Sequence, residues 1–351
     1  MADDPATGRR PPIDRAALGG WLSARLGAHA LVDAVEPLGG GAIQENWRVD
    51  ATVAGQPRRY VLRRDAPARL SFSHDRRTEY EIVAVARAAG VKVADPVGFC
   101  DDPAPAGGPF ALFAFVEGVA LGHKVVRDPA LASLGPVIAR QVGAEMARIH
   151  AVRPPRTDLA VLGEPPADRA LADVGELRAV LDRLALSRPA LEWGLRWAET
   201  GAPPPGPPVL IHRDLRTGNY LVDAQGLAAV LDWEFAAWGD RHADLGWFCA
   251  ACWRFGRQER VAGGVGDRAD LYRGYEEAGG LPVEDAAVRF WEVMAHLRWA
   301  VIALEQGARH TSGRDPSLEL ALTARIVPEL ELAVLGATAP DRWRPWRAAA
   351  G

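Results

Sequence analysis

The alternation of apolar and polar residues divides the chain into two parts with different periodicity. Early in the chain, apolar residues alternate with polar ones or form short runs, which predicts β-strands. These strands cover residues 35–38, 47–53, 60–64, 93–99 and 109–116, and helices are predicted beside them over 14–26 and 75–89. Later, apolar residues recur at helical spacing over residues 138–150, 174–186, 189–200, 267–279, 284–309 and 318–335. The pattern predicts an α+β fold with a small β-rich N-terminal lobe and a larger helical C-terminal lobe.

Residues suited to catalysis are concentrated around one predicted hairpin, over residues 220–231. A His-Arg-Asp triplet that ends at Asp214 precedes the hairpin, and Asn219 lies five residues after this aspartate. Asp232 lies where the second strand ends. The hairpin therefore has two carboxylates and one side-chain amide close to its ends.

This set of side chains suits phosphoryl transfer from ATP. The reaction needs a carboxylate that orients the attacking hydroxyl and accepts its proton, and Asp214 is the candidate. It also needs oxygen ligands for Mg²⁺, and Asn219 and Asp232 are the candidates. Each residue alone could be part of a solvated turn or a strand end. Their order and spacing resemble those of the catalytic residues of protein kinases.

A candidate nucleotide site lies in the N-terminal lobe. Gly39, Gly40 and Gly41 join two predicted strands, and a glycine turn lets backbone amides approach phosphate, although such turns also join ordinary hairpins. In the next strand, Val61 and Arg63 share one face. The third strand of kinases likewise places an apolar residue under adenine and, two residues later, a cation on the phosphates. Kinases usually have lysine in the place of Arg63, and arginine differs from it as a planar, fork-shaped donor. The alternative is a strand end with two solvated arginines.

The crossing between the lobes is predicted over residues 113–118, which end in Phe-Val-Glu-Gly. Phe115 and Glu117 lie in this crossing, where backbone groups could meet adenine. Residues 1–12 are polar and proline-bearing, which predicts a disordered lead. We accordingly expect an N-lobe over 13–116 and a C-lobe with the catalytic loop and substrate site over 117–351.

Composition narrows the class of protein. The chain has 351 residues, which is more than one ordinary core needs and is enough for two lobes. A net charge of −4 argues against general nucleic-acid binding. No run of 18 apolar residues predicts a membrane span, and the N-terminus lacks the apolar region of a signal peptide. We therefore expect a cytoplasmic protein.

The three cysteines give little evidence for a metal or redox site. Cys249 and Cys252 have the spacing of such a pair, but no second Cys pair or His pair accompanies them. On a helix they would share one face, where core packing is the better interpretation. A low, odd cysteine count fits a reducing compartment.

On the residues described so far, the sequence resembles the aminoglycoside phosphotransferase-like family of small-molecule kinases. The resemblance covers nearly the whole chain, and its most specific parts are the His-Arg-Asp loop and residues 231–234 and 239–246. It implies a protein-kinase-like, two-lobed fold. The chain has no glycine in the position that protein kinases use after the metal-binding aspartate, and no protein-kinase activation segment. Small molecules are therefore the expected substrates.

The resemblance also implies roles for individual residues. Asp214 would be the catalytic base, and Asn219 and Asp232 would hold Mg²⁺ beside ATP. Asp244 would support the catalytic loop, with His212 as its expected contact. No sequence feature distinguishes ATP from GTP.

Two glutamates in the predicted helix 75–89 could pair with the cation of the strand. Glu79 is preferred over Glu81, because its setting in Arg-Thr-Glu-Tyr-Glu-Ile-Val resembles a segment that is usual in the family. A solvated glutamate would be the plainer interpretation of either residue.

Later segments resemble one branch of the family. Residues 252–256, 289–292 and 298–300 are similar to the kinase portion associated with acyl-CoA dehydrogenases, which acts on 4-hydroxyacyl-CoA substrates. Arg254 and Arg298 are then candidates for substrate contacts. Packing of the helical lobe is the alternative for each of these arginines and tryptophans.

Three functions remain open on the sequence. The first is an ATP- and Mg²⁺-dependent kinase of a small hydroxylated molecule, with an acyl-CoA as a candidate acceptor. The second is an antibiotic phosphotransferase, acting on an aminoglycoside or a macrolide. The third is a catalytically silent nucleotide-binding scaffold, against which the intact catalytic set argues. Oligomeric state cannot be read from the sequence.

Overall fold

A computed structural model describes residues 13–38, 44–65, 73–313 and 316–340. Within these ranges the chain forms two compact units. The first contains the described residues up to Glu117 together with Ala229–Phe235, and the second contains Gly118–Ala228 and the described residues from Ala236 onward. The disordered lead predicted over 1–12 lies outside the described residues.

The first unit is built on a five-stranded antiparallel sheet with strand order β1-β2-β3-β5-β4. Its elements are α1 (Arg15–Leu26), β1 (Ala30–Pro37), β2 (Gln44–Val53), β3 (Gln56–Asp65), α2 (Arg76–Ala88), β4 (Pro96–Cys100) and β5 (Phe110–Ala114). Asp14 caps the N-terminus of helix α1, and its side chain accepts from the backbone amides of Ala16 and Ala17. The helix ends at Gly27, which has a φ of 63°.

Strand β3 keeps the predicted alternation of faces. Leu62 and Arg64 are buried, whereas Val61 and Arg63 are only partly buried. Leu62 packs in a core with residues of α1, β2 and β5, among them Leu18, Val49 and Leu112. The register places Val61 opposite Phe113 and Arg63 opposite Ala111. The sheet thereby fixes which β3 side chains point away from this core.

The second unit is mainly helical. Its helices are α3 (Gly122–Arg127), α4 (Pro129–Ala132), α5 (Gly135–His150), α6 (Arg169–Arg183), α7 (Pro189–Gly201), α8 (Arg241–Cys249), α9 (Arg268–Glu277), α10 (Asp285–Thr311), α11 (Leu318–Ala324) and α12 (Val327–Thr338). Strand β6 (Val209–Ile211) pairs with β9 (Ala237–Gly239). Strand β7 (Tyr220–Asp223) pairs with β8 (Gly226–Val230), and the chain passes into the first unit within β8. Helix α10 packs against α6, α7 and α12 through an apolar core.

The fold confirms the predicted α+β class, with a β-rich region before a helical one. One prediction was wrong, because the single helix expected over 318–335 is two helices. Pro328 lies in the first turn of α12, where a missing backbone N–H is tolerated, whereas inside a longer helix it would break the hydrogen-bond ladder. Among the described residues, no helix has both the length and the apolar character needed to span a bilayer.

Candidate catalytic site

The catalytic loop connects β6 with β7 in the second unit, and it holds Asp214 and Asn219 against each other. Both residues are buried. Nδ2 of Asn219 donates to Oδ2 of Asp214 at 2.6 Å and to its main-chain oxygen at 2.9 Å. The backbone N–H of Asn219 donates to the carbonyl of Arg216, which closes the loop. Gly218, between them, has a φ of 114°. The five-residue spacing thus puts the amide of Asn219 on the carboxylate of Asp214.

Asp244 supports this loop from the first turn of α8. It is fully buried and accepts from the backbone N–H groups of His212 at 2.7 Å and of Arg213 at 2.8 Å. The contact expected with His212 is therefore made by its main chain. His150 also contacts Asp244, with 3.1 Å between Nε2 and Oδ2. Burial would raise the pKa of Asp244, but the hydrogen bonds and charges of His150 and His212 outweigh it and hold the pKa below its usual value.

His150 extends the support into the helical core, and the sequence did not point to it. Its Nδ1 lies 3.0 Å from the hydroxyl of Tyr275 in α9. The imidazole therefore connects α9 through α5 to the carboxylate that holds the catalytic loop. In the sequence, His150 is the last residue of an amphipathic helix, and no local pattern separates it from a core histidine.

Arg213 has an unusual backbone conformation that is stabilised by long-range contacts. Its φ is 64°, in the left-handed region that non-glycine residues rarely adopt. Its Nη2 donates to Oδ1 of Asp173 in α6 at 2.7 Å. Burial would raise the pKa of Asp173, but the charges of Arg213 and Arg169 hold it below the usual value. The catalytic loop is thus tied to α6 by an ion pair.

Arg298 and Arg254, the two candidates for substrate contacts, each contact a backbone carbonyl of this chain. Nη1 of Arg298 donates to the carbonyl of Arg213, and its guanidinium carbon lies 5.0 Å from the ring centroid of Trp247. Burial, and secondly Arg213, lowers the pKa of Arg298 to about 10. Arg254 donates from Nη2 to the carbonyl of Cys249 at 2.6 Å. Both arginines brace backbone carbonyls.

The first unit holds the candidate nucleotide residues of β3 and α2. Nη1 of Arg63 lies 2.6 Å from Oε1 of Glu79, and its Nη2 lies 3.5 Å from Oδ1 of Asp232. Glu79 is buried and is also paired with Arg76 three residues earlier. The partner of Arg63 is Glu79, the glutamate preferred over Glu81. A guanidinium is thereby held between two carboxylates.

The remaining residues of the nucleotide prediction lie in or near the crossing. The amide of Phe115 donates to the carbonyl of Arg59 at 3.0 Å, and the guanidinium of Arg59 lies 5.0 Å from the Phe115 ring centroid. Arg59 also pairs with the exposed Glu117 at 2.5 Å. The glycine turn at residues 39–41 lies outside the described residues.

Asn219 in the second unit and Asp232 in the first each carry an oxygen donor. Both hydrogen bonds from the Asn219 side chain to Asp214 use Nδ2, so the amide oxygen is the atom that can act as a ligand. Asp232 has a φ of 65° and a side chain that is 31% exposed. One carboxylate and one amide oxygen suit Mg²⁺, which usually takes its other ligands from water and phosphate. Within the described residues, no three His, Cys, Asp or Glu side chains form an alternative metal cluster.

Cys249 and Cys252 lie in apolar surroundings. Cys249 is buried, and Cys252 packs partly buried against the cluster of Trp247, Trp253 and Ala295. Burial raises the pKa of each thiol to about 12, which keeps both protonated and unreactive at neutral pH. Their environment is that of packed side chains.

Solved structures with the same fold include several phosphotransferases. A protein from Ralstonia eutropha assigned as an aminoglycoside phosphotransferase superposes with a TM-score of 0.71 and 20% identity, over 93% of this chain and 98% of that chain. A thermostable variant of aminoglycoside phosphotransferase APH(4)-Ia was solved with AMP-PNP and hygromycin B. It superposes with a TM-score of 0.60 and 18% identity, over 92% of this chain and 99% of that chain. At these identities the likeness establishes the fold.

The comparison with family models identifies the class of enzyme, which is that of the phosphotransferases. The model of the phosphotransferase enzyme family (APH) matches residues 34–281, and the chain belongs to this family. Mouse acyl-CoA dehydrogenase family member 10 is 29% identical over 202 residues, which are 55% of this chain. The match spans only 18% of that much longer protein.

Proposed function

We propose that this phosphotransferase uses ATP and Mg²⁺ to phosphorylate a hydroxyl of a small molecule, and that the acceptor is a 4-hydroxyacyl-CoA. The observation that carries the catalytic part is the buried pair of Asp214 and Asn219, held by the backbone contacts of Asp244. Such a pair has a use in phosphoryl transfer, because a carboxylate in a fixed position can orient a hydroxyl and accept its proton.

In the proposed reaction, Asp214 accepts the proton of the acceptor hydroxyl. The hydroxyl oxygen forms a bond to the γ-phosphorus of ATP while the bond from that phosphorus to ADP breaks. Charge on the transferred group is spread over its oxygens, so positioning and electrostatic stabilisation carry most of the catalysis. The protein needs no covalent intermediate for this step.

The nucleotide part of the proposal rests on Arg63. Its ion pair with the buried Glu79 fixes the guanidinium at the end of β3, on the face that it shares with Val61. A guanidinium is a fork-shaped donor that can hold two phosphate oxygens at once. We assign the phosphates of ATP to Arg63 and to the glycine turn at residues 39–41, and adenine to Val61 and the crossing at Phe115 and Glu117.

Asn219 and Asp232 are the residues that would hold Mg²⁺. When bound, the metal would neutralise charge on the phosphate oxygens. The two residues come from different ends of the β7–β8 hairpin, and each presents an oxygen donor. Arg63 lies 3.5 Å from Asp232, so a cation is close to this carboxylate.

The acyl-CoA part of the proposal rests on sequence similarity. The tryptophan- and arginine-bearing segments near 252–256 and 289–300 resemble the kinase portion associated with acyl-CoA dehydrogenases, and the mouse relative carries that dehydrogenase name. The antibiotic alternative draws on proteins such as the hygromycin-bound relative, whose likeness is one of fold.

A panel of acceptors tests the proposal. The purified full-length chain is incubated with ATP, Mg²⁺ and 4-hydroxydecanoyl-CoA, 3-hydroxydecanoyl-CoA, decanoyl-CoA or hygromycin B, and ADP release and product mass are measured. We expect phosphorylation of the 4-hydroxy compound alone, since decanoyl-CoA lacks the acceptor oxygen. Phosphorylation of hygromycin B alone would overturn the acceptor and keep the kinase. Absence of transfer to every acceptor tried, with ATP bound, would favour the silent scaffold.

A further inference from the structure

Arg216 lies two residues after Asp214 in the catalytic loop, and its side chain reaches back to that carboxylate. Nε of Arg216 is 3.4 Å from Oδ1 of Asp214. Its guanidinium carbon lies 4.7 Å from the ring centroid of Trp253. The guanidinium therefore contacts a carboxylate and an indole at the same time. Both contacts lie within the second unit.

Trp253 is a rigid support for this guanidinium. It is 5% exposed, and its ring centroid lies 5.2 Å from that of Trp247 and 5.1 Å from that of Trp299. Arg298 packs on Trp247 in the same aromatic group and donates to the loop carbonyl of Arg213. A guanidinium on such a surface keeps fewer rotamers than one in water, and the ring face attracts the cation.

The two oxygens of Asp214 have different contacts. Oδ2 accepts from Asn219, and Oδ1 faces Arg216. Other groups also act on Asp214, since His212 Nδ1 accepts its backbone amide and both Arg298 and the Cys252 thiol lie within electrostatic reach. Arg216, in contrast, forms an ion pair with the carboxylate itself. A contact on each oxygen fixes the plane of the carboxylate as well as its position.

We propose that Arg216 is a positioning residue for Asp214, and that Trp253 holds Arg216 in place for this task. The proposal rests on the catalytic role proposed for Asp214. The contact at Oδ1 restricts rotation of the carboxylate about its hydrogen bond to Asn219, and this helps to fix the orientation toward the acceptor hydroxyl. Misplacement of a reacting group by about 1 Å can cost on the order of 100-fold in rate.

The test uses Arg216→Ala, Arg216→Lys, Trp253→Leu, Trp253→Phe and the double variant Arg216→Ala/Trp253→Leu in the full chain. Turnover is measured with 4-hydroxydecanoyl-CoA and, independently of that acceptor, as Mg²⁺-dependent ATP hydrolysis by water. Nucleotide affinity is measured by calorimetry and folding by thermal unfolding. Asp214→Asn is measured in parallel, because its inactivity establishes the role on which this proposal depends.

We expect Arg216→Ala to lower kcat about 10- to 100-fold while leaving KM for ATP and the melting temperature nearly unchanged. Arg216→Lys should recover part of the loss, and low-millimolar guanidinium chloride should partly rescue Arg216→Ala. Trp253→Phe keeps an aromatic face and should lower kcat less than Trp253→Leu does. The double variant should lose no more than the worse single variant, because both substitutions remove the same contact.

Three results would overturn the proposal. One is a kcat of Arg216→Ala within twofold of wild type while Asp214→Asn is inactive. Another is full additivity of the Arg216 and Trp253 effects. The third is a loss in Arg216→Ala that is confined to KM. If Trp253→Leu fails to fold, the Arg216 variants and the guanidinium rescue decide the question. Full activity of Asp214→Asn would instead remove the proposed function.

Discussion

Asn219 donates its side-chain amide to Oδ2 of Asp214 at 2.6 Å, and the same nitrogen donates to the main-chain oxygen of Asp214 at 2.9 Å. One amide group therefore fixes both the side chain and the backbone of the candidate base. It also directs the amide oxygen of Asn219 away from Asp214. The contact explains how one asparagine can serve the carboxylate with its nitrogen and a metal with its oxygen.

The first prediction concerns Asp214→Asn. The substitution keeps the shape of the side chain and an oxygen that can accept from Asn219, so the fold should be retained. It removes the charge and the proton acceptor, and general-base assistance contributes about 10²–10⁴-fold to rate. We expect kcat to fall by roughly that factor, with the melting temperature changed little. Steady-state kinetics on the accepted substrate will measure it.

A matched control for this substitution is Asp223→Asn, at the end of β7 in the same hairpin. The carboxylate of Asp223 accepts the backbone amide of Gln225, which belongs to the turn alone. Its kcat should equal that of wild type. If Asp214→Asn retains wild-type turnover under conditions where Asp223→Asn does as well, Asp214 has no role as base.

The second prediction concerns Asp232→Ala. The substitution deletes the strongest proposed oxygen ligand for Mg²⁺. It also removes one of the two carboxylates near Arg63, while the ion pair with Glu79 stays. We expect the gain in nucleotide affinity that Mg²⁺ gives wild type to disappear. Affinity for ATP without metal should change little or improve, because a negative charge has been removed from its surroundings. Calorimetric titrations with and without Mg²⁺ separate the two effects.

Asn219→Ala provides the comparison, since a neutral amide contributes weaker electrostatics than a carboxylate. It should lower the Mg²⁺-dependent affinity less than Asp232→Ala does. It should also lower kcat, because Asp214 loses its contact at Oδ2. An Asp232→Ala protein that binds Mg²⁺ and ATP like wild type would contradict the assignment of this ligand.

Contacts within a few residues, or across one strand pair, could be predicted from the sequence. The face shared by Val61 and Arg63 follows from alternation in a strand. The closeness of Asp214 to Asn219 follows from their spacing in one loop. The choice of Glu79 depended on a resemblance, and the structure gives it a pair with Arg63 at 2.6 Å. The two arginines at the end of β3 could equally have been solvated, yet Arg64 is 4% exposed.

The supports of the catalytic loop could not be predicted in the same way. His150 reaches Asp244 across 94 residues, and Arg298 reaches the carbonyl of Arg213 across 85 residues. Each of these side chains lies on an amphipathic helix, where the sequence pattern reports burial and not the identity of a distant partner. The same limit applies to Arg298, whose contact with the carbonyl of Arg213 was not predicted and whose contact with a substrate stays a prediction. Tertiary packing decides which carbonyl or carboxylate such a residue meets.

The third prediction concerns Arg298 as a support of the catalytic loop. Arg298→Met removes the donor to the carbonyl of Arg213, whose φ of 64° is already unfavourable for a side chain. We expect a loss of about 1–3 kcal/mol in the free energy of unfolding, as for a hydrogen bond from a charged group. We also expect a lower kcat with every acceptor, whatever its charge. Urea unfolding and kinetics with an anionic and a cationic acceptor will measure both.

Arg289→Met is the control on the same helix. Arg289 is 65% exposed and pairs with Asp285 one turn earlier, so its loss should change the free energy of unfolding by well under about 1 kcal/mol. A bracing role for Arg298 predicts that the two variants differ clearly. If Arg298→Met is as stable as Arg289→Met and impairs only acyl-CoA substrates, Arg298 contacts the substrate after all.

The last prediction concerns the pH dependence of stability through His296. This histidine of α10 is 6% exposed, and its Nε2 accepts the backbone N–H of Ala251 at 3.2 Å. That hydrogen bond requires an unprotonated Nε2. Burial, the main cause, lowers the pKa of His296 from 6.5 to about 4. In the unfolded chain the ring is in water and keeps its ordinary pKa of about 6.5.

Between pH 6.5 and 4 the unfolded chain therefore binds a proton at His296 that the folded chain does not bind. Folding stability rises with pH wherever the unfolded state binds more protons. The contribution of the unprotonated His296 to folding stability is therefore complete above about pH 6.5. It is lost progressively as the pH falls toward 4. A shift of this size corresponds to roughly 3–4 kcal/mol. His296→Gln, whose side-chain oxygen can accept from Ala251 without titrating, should lack this contribution. The exposed His29→Gln should keep it. Urea unfolding of the three proteins at several pH values from 4 to 7.5 will measure the slopes, and parallel curves for wild type and His296→Gln would show that His296 does not titrate in this range on unfolding.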